Sequence, residues 1–127
     1  MDRIVRQELD RCRPLIEAAL ARDGLERFEE VEAAVASGAA QLWPGHSSCF
    51  VTRVEDYPTG ARVMQAWLSA GELGELVEVQ RPMIEGQARE WGCTHALVEG
   101  GRPGWQRVLR PHGYAFQGVI LLKDLRQ

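Results

Sequence analysis

Ala88-Arg89-Glu90-Trp91-Gly92-Cys93-Thr94-His95-Ala96-Leu97-Val98-Glu99 is the stretch on which the fold turns. Its first part closes a helical pattern in which Leu73, Leu76, Gln80, Met83, Gln87 and Trp91 recur at three- and four-residue steps. Gly92 ends that helix, and Thr94–Glu99 changes to the composition of a strand. Pro82 lies inside the helical pattern and predicts a kink or a break into two pieces. Downstream, Gly104–Arg110 reads as a short helix and Tyr114–Leu122 as a last strand.

Upstream the period is that of strands. Ala39–Trp43 runs into the turn pair Pro44-Gly45, Ser48–Val54 is rich in β-branched and aromatic residues, and Ala61–Leu68 follows the turn Asp56-Tyr57-Pro58-Thr59-Gly60. Short connections between these runs predict an antiparallel meander. Earlier still, Leu9, Leu15, Ile16, Ala19 and Leu20 share one helical face, with a kink or restart expected at Pro14 and a stop at Asp23-Gly24. Phe28, Val31, Ala34 and Val35 mark a second helix that Ser37-Gly38 stops. The expected order is α-α-β-β-β-α-β-α-β in one domain over 1–127. It comprises a helical hairpin (1–38), a meander (39–68) and a helix-strand-helix-strand half (69–127).

Composition narrows the function class. The 127 residues are 45% hydrophobic and 26% charged, which gives enough apolar material for one core and excludes the disordered class. A pure apolar run such as Val119–Leu122 is far short of a membrane span, and Met1–Glu8 interleaves charges, so no signal peptide is expected. Cys12, Cys49 and Cys93 are odd in number and widely spaced, which points away from a disulfide framework and toward a reducing compartment. A net charge of -3 speaks against sequence-independent binding of nucleic acid.

The order of elements resembles the GNAT (GCN5-related N-acetyltransferase) fold. The residues that carry the likeness are Ala88–Cys93 closing a helix, the strand Ala96-Leu97-Val98, the short helix through Trp105–Leu109, and Gly113-Tyr114 opening the final strand. A narrower likeness, to small GNAT-like proteins of tailed phages and prophages, rests on Ala39–Gly45, Leu68–Leu73 and Gly101–Leu109. That likeness implies a fold and, for some members, a place in the virion; a fold does not by itself imply catalysis.

The resemblance also says where an acetyl-CoA site belongs. Its pyrophosphate would rest on backbone N–H groups of an Arg/Gln-x-x-Gly-x-Gly/Ala loop, which falls at Glu72-Leu73-Gly74-Glu75-Leu76-Val77. Glu72 takes the basic or amide position and Glu75 a glycine position, so a polyanion would meet carboxylates. Gly71 and Gly74 are the residues that could still present N–H groups. The family's acid follows an Asn-x-x-Ala-x-x-x-Tyr-x-x-x-Gly pattern; anchored on Gly113, it puts Leu109 at the tyrosine, Trp105 at the alanine and Arg102 at the asparagine. Leu109 cannot donate a proton; Tyr114 and His112 are the neighbouring substitutes.

Other constellations are thinner. Cys93-x-His95 lacks a second pair at metal spacing, Cys49 near His46 reads as a buried structural cysteine, and His46-Ser47-Ser48 has no placed acid. Neither a catalytic residue nor a metal ligand is assigned. Trp43 and Trp105 are candidates to anchor a protein partner, with Arg102, Arg107 and Arg110 as a basic face. The reading that follows is a GNAT-like phage or prophage protein with a degenerate site and no cofactor. It would be present in several copies on portal, connector or internal ejection proteins, and located in the virion and the host cytoplasm. No membrane association is expected, and direct nucleic-acid binding is disfavoured. The alternative is an acetyl-CoA-dependent N-acetyltransferase acting on a small amine or a protein N-terminus.

Overall fold

The computed structural model describes residues 1–99 and 104–126. It opens with α1 (Arg3–Leu20), whose first N–H groups are satisfied by the Asp2 side chain; Oδ1 accepts from Ile4 N at 2.8 Å. The helix passes through Pro14 without restarting, so the proline costs one backbone donor and does not divide the element. α2 (Phe28–Ser37) follows, and Gly38 caps it in the left-handed region at φ +82°.

The sheet has four strands in the order β1-β2-β3-β4: Gln41–Pro44, Ser48–Asp56, Arg62–Gly71 and His95–Val98. The first three are antiparallel neighbours, and β4 joins β3 in parallel, as the meander and the helical crossover predict. Alternation along β2 divides the core. Cys49 and Val51 face α1 and α2 with Leu9, Cys12, Ile16 and Val31, while Phe50 faces the other layer with Met64, Leu76, Ile84 and Trp105. The sheet is therefore covered by helices on both faces.

Between β3 and β4 lie α3 (Leu73–Glu75), a π-helical turn (Leu76–Gln80) and α4 (Arg81–Glu90). The proline expected to break this helix sits in the first turn of α4, directly after the widened turn. A proline has no N–H and crowds the carbonyl one turn back; widening the preceding turn accommodates both. The Arg81 side chain serves part of the disturbed backbone, its Nε donating to Val77 O at 3.0 Å.

β3 is longer than its sequence pattern suggested and carries a bulge. Val51 pairs with Leu68 but Thr52 pairs with Ala66, leaving Trp67 as the extra residue. The ladder to β4 ends at the pair Ala66 and Val98, directly before that bulge. From there to Gly71, β3 runs along β2 while β4 has come to its end.

The last expected strand is absent. After α5 (Trp105–Leu109) and a 3-10 turn (Arg110–His112), residues 114–124 carry no helix or strand. The apolar composition that suggested a strand is real, but Val119 is 74% and Leu121 89% exposed. A strand needs a partner edge, and the segment does not reach one in this chain.

Candidate functional site: the loop after strand β3

Gly71, the last residue of β3, adopts φ +99° and packs so closely on the β1–β2 turn that a Cβ would lie 2.3 Å from Ser47 O. Only glycine fits there, and the reason lies in the turn it touches. The next residue, Glu72, folds its carboxylate over the start of the helical segment. Gly74 N donates to Oε1 at 2.9 Å, and Glu75 N donates to Oε2 at 2.6 Å. Gly74 is one of the two residues that the family resemblance offers to a pyrophosphate, and here its N–H and that of Glu75 hold an anion supplied by the chain itself. Glu72 and Gly74 are both exposed, so the arrangement is open to solvent.

Glu75 points the other way. Its Oε1 accepts from Ser47 N at 2.9 Å and from the Ser48 hydroxyl, tying the loop to the β1–β2 turn. The Ser48 bond, then the Ser47 bond, hold the Glu75 carboxyl below the ordinary carboxylate range. Buried Gln80 completes the cluster, its Nε2 donating to Trp43 O at 3.0 Å and to Ser48 Oγ at 3.1 Å. The sequence offered Ser48 only within His46-Ser47-Ser48, without a placed acid, and Gln80 only as a glutamine recurring in the helical pattern; the acid that meets Ser48 is Glu75.

On the α4–α5 side the space is filled. Trp105, 6% exposed, stacks on Phe50 with ring centroids 6.2 Å apart and 25° between planes. Its ring therefore offers no surface to a partner, contrary to its candidacy as an anchor. Leu109 is equally buried beside it. What remains is an apolar cavity of about 30 Å³ bordered by Phe50, Met64, Ile84, Leu109 and Tyr114, room for about one water. Tyr114 opens no strand; its hydroxyl donates to Glu85 Oε2 at 2.8 Å, and Arg81 pairs with the same carboxylate at 3.1 Å. Burial, then the Glu85 bond, push the phenol above its ordinary pKa.

The remaining candidates are scattered. Trp43 lies in β1 and not in an exposed loop; it is half-buried, and its Nε1 donates to Thr52 Oγ1 at 2.8 Å. Arg107 and Arg110 are exposed on α5 and the turn after it, whereas Arg102 lies outside the described residues. Cys49 is buried, and its hydrogen bond with Cys12, reinforced by burial, raises its thiol pKa, which makes it a poor nucleophile. Cys93 is half-buried and free. No helix among the described residues is long and apolar enough to cross a membrane.

The overall fold is shared with solved acetyltransferases. A predicted acetyltransferase from Clostridium acetobutylicum, solved with acetyl-CoA, superposes with a TM-score of 0.68 at 12% identity, covering 94% of this chain and 92% of that one. The fold is that of the GNAT acetyltransferases. A ribosomal-protein-alanine N-acetyltransferase from Brucella melitensis biovar Abortus 2308 matches with a TM-score of 0.62 at 14% identity, covering 93% and 94%. Glucosamine-6-phosphate N-acetyltransferase from Arabidopsis thaliana matches with 0.54 at 6%, covering 77% and 76%. No protein-family model matches the sequence, and no curated protein matches it. None of these three GNAT-fold structures is described as a phage or virion protein.

Proposed function

We propose that the protein is an acetyl-CoA-dependent N-acetyltransferase acting on a primary amine. The observation that carries this reading is the pair of N–H groups at Gly74 and Glu75, converging on an anion at the end of the strand that outruns its neighbour. The fit to acetyl-CoA is conditional: the donors suit a pyrophosphate once the exposed Glu72 carboxylate turns away, and Glu75 is already withdrawn onto Ser47 and Ser48. When bound, the cofactor supplies an activated acyl group. The chain's own residues would hold the anion at Gly74 and Glu75, and we assign the Tyr114 hydroxyl, positioned by Glu85, to protonate the departing thiolate, the proton that the amine loses as its bond to the acyl carbon forms restoring the phenol.

A second reading is favoured by the same Glu72 contact together with the buried Leu109. In it the loop stays closed, and the domain is a non-catalytic component that binds other proteins through the exposed Arg107 and Arg110. The virion role belongs to this reading and rests on the sequence resemblance. Steady-state release of free thiol from acetyl-CoA, assayed over a panel of small amines and peptide N-termini, separates the two. Saturable turnover supports the enzyme; no turnover above buffer with any acceptor favours the second reading.

A further inference from the structure

Cys12 lies on the buried side of α1 with Leu9 and Ile16, and Cys49, the second residue of β2, packs in the same core cluster. They are 0% and 2% exposed, and both are free thiols. Two contacts fix them against each other. The thiols share a hydrogen bond, and Arg11, next to Cys12, donates to Gly45 O at 2.9 Å in the turn that leads into β2. A single buried cysteine serves as a small apolar side chain. Two in contact beside a cation are a dithiol.

The pair is also unequal. Its hydrogen bond with Cys49 lowers the Cys12 thiol pKa against the effect of burial, and the Arg11 cation acts in the same direction. The same bond, then burial, raise Cys49. One sulfur is therefore the better nucleophile, and the other already touches it. We propose that Cys12 and Cys49 form a reversible disulfide between α1 and β2 when hydrogen peroxide oxidises the protein. The Cys12 sulfur attacks one peroxide oxygen, the O–O bond breaks, and hydroxide leaves with the Cys12 proton as water. The Cys49 sulfur then displaces the hydroxyl of the resulting sulfenic acid, its own proton leaving with that oxygen as a second water. Each sulfur loses one electron and each peroxide oxygen gains one. Both sulfurs are buried, so oxidation proceeds through local opening.

The bond ties α1 to the turn whose Ser47 O accepts from Glu72 N at 3.0 Å, and so to the loop after β3. It also closes a loop of about 40 residues and constrains the unfolded chain. The test is oxidation of the full chain with hydrogen peroxide, quenching with catalase, alkylation of the unfolded protein with iodoacetamide, and peptide mass mapping. The proposal expects alkylation at Cys93 alone and a peptide pair joined through Cys12 and Cys49, with dithiothreitol restoring alkylation at all three cysteines. The oxidised protein should melt roughly 10 °C above the reduced one, and Cys12→Ser should lose both the cross-link and the rise. Cys49→Ala serves if Cys12→Ser does not fold. Three alkylated cysteines after oxidation overturn the proposal. So do a cross-link through Cys93, a sulfinic acid in place of the bond, and a cross-linked protein that melts no higher.

Discussion

The Glu72 carboxylate lies 2.9 Å from the backbone nitrogen of Gly74 and caps the helical segment, at the position that the proposed function gives to the cofactor's phosphates. On that proposal the same contact serves stability and governs access. Glu72→Ala removes an acceptor from the N–H groups of Gly74 and Glu75, and losing a cap of this kind costs about 1 kcal/mol. Thermal or urea unfolding of the variant measures it. An unchanged midpoint would mean that the cap is not held in solution.

Trp105 fills the core between sheet and α5. Trp105→Ala should destabilise by about 3–5 kcal/mol, as for other large aromatic truncations in cores. Denaturant unfolding of the variant beside Phe50→Leu would show coupling between the stacked rings, and a loss under 1 kcal/mol would place the ring at the surface.

Glu75 sets an acid limit on the β1–β2 turn. Its folded pKa is depressed, so its contribution is fully present above the ordinary carboxylate range and is lost as pH falls through the folded value. The stability gap between wild type and Glu75→Gln should be constant near neutrality and close on acidification. A gap that widened in acid would reverse the sign of this assignment.

Tyr114→Phe keeps the ring and removes the proton. It should lower kcat by on the order of 100-fold and leave acetyl-CoA binding unaltered. Equal turnover in both proteins would remove Tyr114 from the reaction.

The fold was largely legible because the helix ending at Gly92 and the strand after it have different periods, and short loops force a meander. The missing last strand was misread for a physical reason. Val119–Leu122 has strand-forming side chains, but composition does not say whether an edge lies within reach. The bulge at Trp67 and the π turn before Pro82 each depend on neighbours distant in sequence; Pro82 marked a disturbance without giving its form. At the site, the family resemblance drew attention to the loop of Gly71, Glu72 and Gly74, and the structure shows a glycine-only turn and a side-chain cap there. The opposite directions taken by Glu72 and Glu75 were not readable, because Ser47 and Ser48 lie more than twenty residues away.

Calorimetric titration of acetyl-CoA into the wild-type protein and into Glu72→Gln tests the central claim most directly. Replacing the carboxylate leaves an acceptor of similar shape and removes a like charge worth on the order of 1 kcal/mol. The account predicts saturable binding to both, roughly fivefold to tenfold tighter in the variant. Absence of binding to either protein at millimolar acetyl-CoA would contradict it.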